Sequence, residues 1–276
     1  MNNPSGSPQE PNPDPSASPA PYGQTPPSAP AQQAMRVPMP RSAPYVTYTI
    51  IGITVAFYLL QIVSVWIFGY ALPGLRMDWL EYYGARINEA ILAGELWRLI
   101  TPALLHGSIP HIAFNMYALL SFGTGLERHF GHWRFLLLYL LGAFAGNVAS
   151  FLFTSGSYSV GASTAIFGLL GAEAVFLIQN RKLFAGQFRS AIGNIIFIAA
   201  INLFIIGALP GIDNWGHIGG LLGGLIFTSL AGPLYEVEGI SPAYHLVDRR
   251  PAREVIIGAA TVVLVFGGLA MWGMVR

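Results

Sequence analysis

The chain has no cysteine and little charge. Without a thiol it can form no disulfide and no thiolate site, and the redox state of its compartment leaves no trace. Charged residues fill 10% of the 276 positions, while hydrophobic residues fill 53%. A water-soluble domain carries roughly 25% charge. So few charges cannot cover a water-facing surface, and a mean hydropathy of +0.53 places most of the chain against lipid. The net charge of +1 is uninformative alone, and no nucleic-acid partner is expected.

What the chain does have is unevenly distributed. Twelve of its 20 prolines lie in the first forty residues, mixed with Ser, Gln, Ala and Asn. Such a segment cannot bury enough apolar surface to offset its ordering entropy. Residues 1–42 therefore read as a disordered, partly polyproline-II tail, either simply solvated or offered to a proline-reading domain. A basic start and an apolar h-region are both missing, so it does not read as a signal peptide.

Seven apolar stretches follow, at about 45–70, 111–126, 135–154, 163–178, 191–209, 215–231 and 255–274. Crossing the hydrocarbon takes about 20 residues, so the second and fourth are short. Ends that stop inside the membrane slab can line a water-filled recess but cannot face lipid. The expected class is an all-α membrane protein. Arg36, Arg41, Arg128, Arg134, Arg181, Lys182, Arg189, Arg249, Arg250 and Arg253 fall on the side of the tail. Arg76, Arg86, Arg98 and Arg276 fall on the other. The positive-inside rule then makes the tail cytoplasmic and puts the heads of spans four and six outside. The long connection 71–105 carries Trp79, Tyr82, Tyr83 and Trp97 among charges and suits the outer interface. Within it, residues 88–93 read as a short amphipathic helix stopped by Gly94.

Three polar groups mark the outer ends of these spans. Gly161-Ala162-Ser163-Thr164 opens the fourth, and Trp215-Gly216-His217-Ile218-Gly219-Gly220 opens the sixth. Ser163 and His217, each beside glycine, would touch if their helices pack closely, which is the minimum for an activated nucleophile. Gly216, Gly220 and Gly224 form a stripe that permits such packing; a bulky side chain at Gly220 should push His217 out of reach. The head of span two holds His106, His111 and Asn115, the last two on one helix face. Two donors at one depth near a serine suit a developing oxyanion, although the same groups could simply bond helices together. As metal ligands the histidines are poorly spaced and lack a carboxylate or thiol at their depth, so neither metal nor cofactor is expected.

With these residues in place the chain resembles the rhomboid family of intramembrane serine proteases. Glu95-Leu96-Trp97-Arg98 is similar to the family's Trp-Arg signature, and His106, His111 and Asn115 to its His-x4-His-x3-Asn motif. Gly161-Ala162-Ser163-Thr164 and Gly216-His217-Ile218-Gly219-Gly220 resemble its serine and histidine motifs. Thr164 stands where the family often has Gly, and Phe167 where some members have Tyr packed against the histidine. The resemblance implies a six-helix core at 43–232; the cytoplasmic linker expected at 233–254 and the additional seventh helix expected at 255–276 lie outside it. It implies a Ser163–His217 dyad and an oxyanion site from His111, Asn115 and the Ser163 N–H. His106, Gly161, Phe167, Gly220, Trp97 and Arg98 would support them. Asp213 is the sole acid near His217 and is expected to be a loop residue. The implied substrates are single-span transmembrane proteins within the bilayer, cut near the extracytoplasmic face. The alternative is a silent relative that binds such clients, and the expected setting is a bacterial inner membrane. Glu127 is read as structural, Glu173 as protonated or snorkelling, and Asn147 and Asn202 as bonds between helices.

Overall fold

The computed structural model describes residues 42–154, 158–184, 186–240 and 243–276. The expected tail lies outside the described residues, apart from its last position. Nine α-helices and one hairpin occur among the described residues, besides short 3-10 and π turns: α1 (Tyr45–Phe68), α2 (Trp79–Gly84), α3 (Asn88–Leu92), α4 (Ile109–Phe130), α5 (His132–Phe153), α6 (Ser163–Gln179), α7 (Phe188–Ala200), α8 (Asn214–Ala231), β1 (Tyr235–Glu238), β2 (His245–Asp248) and α9 (Ala252–Val275). The four segments Tyr45–Phe68, His132–Phe153, Phe188–Ala208 and Ala252–Val275 are long and apolar enough to cross a membrane. Ser163–Gln179 is apolar but shorter.

The long helices coincide with the seven apolar stretches. The second is longer than hydropathy suggests. Ser108 caps the start of α4 by accepting the His111 N–H, Pro110 occupies its first turn, and Gly131 ends it with φ of 75°. Its last turn is polar, which is why an apolar window stops early. The seventh apolar stretch is α9, whose Gly258, Val262, Phe266 and Ala270 recur every four residues and form its buried face. That face lies on α5 and α8.

At the centre, α5, α6 and α8 pack most tightly. The cause is a set of small residues. A Cβ on Gly220 would collide with the Thr164 carbonyl, and one on Gly224 with the Gly168 carbonyl. The expected stripe thus lies against α6. A second stripe, Gly219 and Gly223, lies against Ala145 and Ala149 of α5 and was not foreseen. Two glycine faces on one helix let α8 sit between two neighbours at backbone distance.

By contrast, only 6% of the Phe188–Ala208 window is buried. This segment also loses its α-helical pattern, passing through a π turn at Ile201–Ile205 and a 3-10 turn at Ile206–Ala208. Asn202 was expected to bond between helices; its amide instead donates to the Ile198 carbonyl one turn back. Asn147 does reach outside its helix, to the Leu99 carbonyl.

The linker 233–254 is more ordered than its sequence suggested, and it qualifies the all-α expectation. β1 and β2 pair antiparallel, Tyr235 opposite Asp248 and Glu238 opposite His245. Asp248 accepts from Arg134 at 2.7 Å, and the Tyr235 hydroxyl donates to the His129 carbonyl at 2.6 Å. The hairpin is therefore fastened to the end of the bundle where α4 meets α5. Glu127 lies at the same end with no exposed surface. Its carboxylate accepts from the Val46 and Thr47 N–H groups and the Thr47 hydroxyl, and pairs with His132 at 2.6 Å.

Candidate active site

Ser163 is the first residue of α6, and His217 lies in the first turn of α8. The glycine contacts between those helices bring His217 Nε2 to 3.0 Å from Ser163 Oγ. Phe167, one turn below Ser163, stacks on the imidazole with centroids 4.3 Å apart and planes at 8°. The ring therefore cannot tilt freely, and the hydroxyl lost relative to Tyr is not needed for the stacking. His217 Nδ1 is buried and has no hydrogen-bond partner among the described residues.

The approach to Ser163 depends on Gly161. Its φ is 128°, a conformation that strains any side chain. A Cβ there would lie 2.7 Å from His111 Nε2 and 3.6 Å from Asn115 Nδ2. Those two nitrogens thus converge beside the backbone entering the serine, where two donors for a tetrahedral oxyanion would stand. His106 plays a different part. Its Nε2 accepts the Ala162 N–H at 3.4 Å, and its ring meets His111 edge-on with centroids 5.0 Å apart. Thr164 fits where Gly is common because its side chain falls against Gly146 and Gly216.

The connection 71–105 is held by Arg98. Its guanidinium pairs with Glu95 at 2.6 Å and donates to the Ala85 and Tyr82 carbonyls at 2.8 Å. Trp97 donates to the Tyr83 carbonyl at 3.0 Å. Both residues thus bond loop backbone, so any support they give the site runs through that loop. Gly220 is the residue whose missing side chain admits Thr164.

Several contributors escaped the sequence reading. Gln61, buried in α1, grips the His106 backbone through both its N–H and its C=O and donates to Asp78 at 2.7 Å. A lone glutamine in an apolar span was the available signal. Asp78 caps α2 in a capping box with Glu81. Burial, with Asp78 adding to it, pushes the Glu81 carboxyl up to about 7. Asp213 does lie in the loop just before α8, and there it caps the helix. It accepts from the Gly216 N–H and the Thr154 hydroxyl, both at 3.0 Å, and from the Ser150 hydroxyl. Burial alone would raise its carboxyl. Hydrogen bonds from Ser150, Gly216 and Ser159, with Arg86 nearby, outweigh that and hold it below its ordinary value. Its bonds run to α5 and to the α8 backbone, so they fix the helix that carries His217.

Ser163, His111, His217 and Asp213 line a cavity of about 570 Å³. A smaller one of about 130 Å³ reaches Ser163 and His217 between α4 and α7, past Phe114 and Ile198. Glu173 shares helix α6 with Ser163 but lies ten residues further along it, outside both cavities.

The family model described as the Rhomboid domain matches residues 93–233. Among similar proteins is "Rhomboid protease GluP" of Bacillus subtilis (strain 168), 45% identical over 190 residues, which are 68% of this chain and 35% of that protein. "RHOMBOID-like protein 6, mitochondrial" of Arabidopsis thaliana is 44% identical over 203 residues, covering 70% of this chain and 66% of that one. "RHOMBOID-like protein 9, chloroplastic" of Arabidopsis thaliana is 37% identical over 156 residues, covering 56% of this chain and 36% of that one. The chain thus spans about a third of the length of the first and third of these relatives.

Proposed function

The chain belongs to the rhomboid family and is a multi-pass integral membrane protein, and we propose that it is an intramembrane serine endopeptidase acting through Ser163 and His217. The observation that carries this reading is the 3.0 Å contact between Ser163 Oγ and His217 Nε2, made between two helices at the wall of a cavity. That separation is within the range for proton transfer between a nucleophile and its base.

The chemistry follows from the positions. Ser163 Oγ attacks the scissile carbonyl carbon while His217 Nε2 takes its proton. The carbonyl oxygen becomes an oxyanion, stabilised by the Ser163 N–H with donors from His111 and Asn115. Collapse of that intermediate expels the amine, to which His217 returns the proton, leaving an acyl-serine. Water, deprotonated by His217, then attacks the ester and restores the serine. No carboxylate among the described residues meets His217 Nδ1, so Phe167 orients the ring where a triad would use an acid. Substrates on this reading are transmembrane helices of other proteins, unwound locally so that a peptide bond can enter. The cut lies toward the extracytoplasmic face if the basic residues orient the chain as the positive-inside rule requires. The same argument makes the N-terminal side cytoplasmic. A bacterial inner membrane is the setting proposed, within a family whose members include proteins named for mitochondrion and chloroplast.

The test is cleavage of a single-span substrate by the purified protein in lipid, compared with Ser163→Ala. Cleavage by the parent and at least about a thousandfold loss in the variant are expected. Equal binding with no cleavage by either would instead identify a silent client-binding protein.

A further inference from the structure

The large cavity holds a second charge that peptide cleavage leaves unused. Arg86 lines it, although only 1% of the residue's surface is exposed. Its backbone pairs with Ser159 in both directions, at 3.0 and 3.1 Å, in an antiparallel bridge. Four residues later comes Ser163, so the bridge ties the guanidinium to the strand entering the nucleophile.

The guanidinium is incompletely satisfied. Nη1 donates to Asn88 Oδ1 at 2.7 Å. Nε is sealed from solvent and has no partner among the described residues. Nη2 makes no hydrogen bond among the described residues. No carboxylate among them lies within 4.0 Å of the group. Asp213 shares the cavity, but its oxygens are already engaged by Ser150, Thr154 and Gly216. Burial pulls Arg86 below its ordinary value, and Asp213 and Glu89 oppose this only from a distance. Nε and Nη2 together form the edge of a guanidinium that grips a carboxylate through two parallel hydrogen bonds. Elsewhere in this chain Arg98 spends that edge on Glu95; in Arg86 Nε is sealed, and Nη2, unpaired among the described residues, is the donor left for a ligand in the cavity.

We propose that Arg86 is a specificity-determining residue that receives an Asp or Glu side chain of the substrate close to the scissile bond. This deepens the proteolytic reading and rests on it. A desolvated cation without a counter-ion is unfavourable in the free protein, and an entering carboxylate relieves that cost. A neutral isostere leaves it in place, and a lysine adds repulsion. Acidic substrates are therefore favoured over amides of the same shape, and basic ones are disfavoured.

The experiment uses the full chain in lipid vesicles and single-span substrates carrying Asp, Asn or Lys at one position at a time. Those positions run from about three residues before the cut to three after it, the reach of one extended segment. At one or more positions kcat/KM is expected to be about tenfold higher for Asp than for Asn, with Lys lowest. In Arg86→Gln the Asp-to-Asn ratio should fall to about one; in Arg86→Lys, which keeps the charge but not the fixed planar donor, it should be intermediate. A ratio near one at every position in the parent overturns the proposal. So does a ratio that survives in Arg86→Gln, or a variant that slows Asp and Asn substrates in equal proportion, the mark of a purely structural arginine. A parallel binding measurement uses Ser163→Ala, which needs no turnover. If the parent cleaves nothing but Ser163→Ala still binds the Asp substrate more tightly than the Asn one, the protease reading falls and carboxylate recognition stands. With neither cleavage nor preference, both fall.

Discussion

Glu81 is a carboxyl whose protonation and whose place in the fold are tied together. Its group is pushed up to about 7 from an ordinary 4.5, by burial first and then by Asp78. The sign of the stability effect follows from proton counting. Between those two values the folded chain holds the proton and the unfolded chain has released it, so raising the pH favours unfolding. The contribution is intact below about 4.5 and lost as pH rises through about 7. The loss amounts to roughly 2–3 kcal/mol. Thermal unfolding in detergent should therefore show a midpoint that falls between about pH 5 and 7.5 in the parent, and less steeply in Glu81→Gln. Parallel slopes would remove Glu81 as the source. At this scale the sequence was legible where chemistry leaves a spacing. His111 and Asn115 were readable as neighbours from their four-residue separation, and the structure converges both on Gly161. Asp213 was less so. A carboxylate three residues before Gly216 can cap a helix, idle in a loop or assist a base, and only the positions of Ser150 and Thr154 decide among these.

Helix α8 shows how an element converts composition into geometry. One glycine face admits α6 and the other admits α5, so both neighbours approach at backbone distance and the Ser163–His217 contact is set by three helices together. Gly220→Val should damage both the packing of this helix and the Ser163–His217 contact. The added side chain would meet the Thr164 carbonyl, and backbone cannot yield as a side-chain tip can. Overpacking of this kind costs about 1–3 kcal/mol or more. The thermal midpoint should fall, and a serine-directed covalent probe should label Ser163 much more slowly per folded molecule. Full labelling at unchanged midpoint would refute the argument. The stripe facing α6 was legible because Gly216, Gly220 and Gly224 repeat at helical spacing. The face toward α5 was masked, because Gly219 and Gly223 adjoin the first set and read as general smallness. The break in α7 left no mark: residues 201–205 are apolar apart from Asn202, and nothing in them names a π turn.

For the whole molecule, the absence of cysteine turns into an experimental opening. Orientation rests on ten basic residues against four, and single cysteines can report it against a silent background. Leu75→Cys lies in an exposed stretch of the outer loop, and Lys182→Cys in an exposed turn after α6. A membrane-impermeant maleimide should label the first in intact spheroplasts and the second only after permeabilisation. The opposite pattern would invert the proposed topology and place the cut on the cytoplasmic face. Seven apolar runs announced the long helices within a few residues. The hairpin at Tyr235–Asp248 stayed hidden because two strands of four residues carry too little alternation to separate from a linker. The tightest and loosest parts of this architecture stand side by side at Ser163. The α5–α6–α8 cluster is clamped by glycine, whereas the helix across the smaller cavity leans on its neighbours with 6% of its span covered. On the proposed reading, lipid would cover most of that helix, so acyl-chain length and lateral pressure would become inputs to the width of the slot beside Ser163, and turnover would answer to the mechanics of the bilayer as well as to proton transfer.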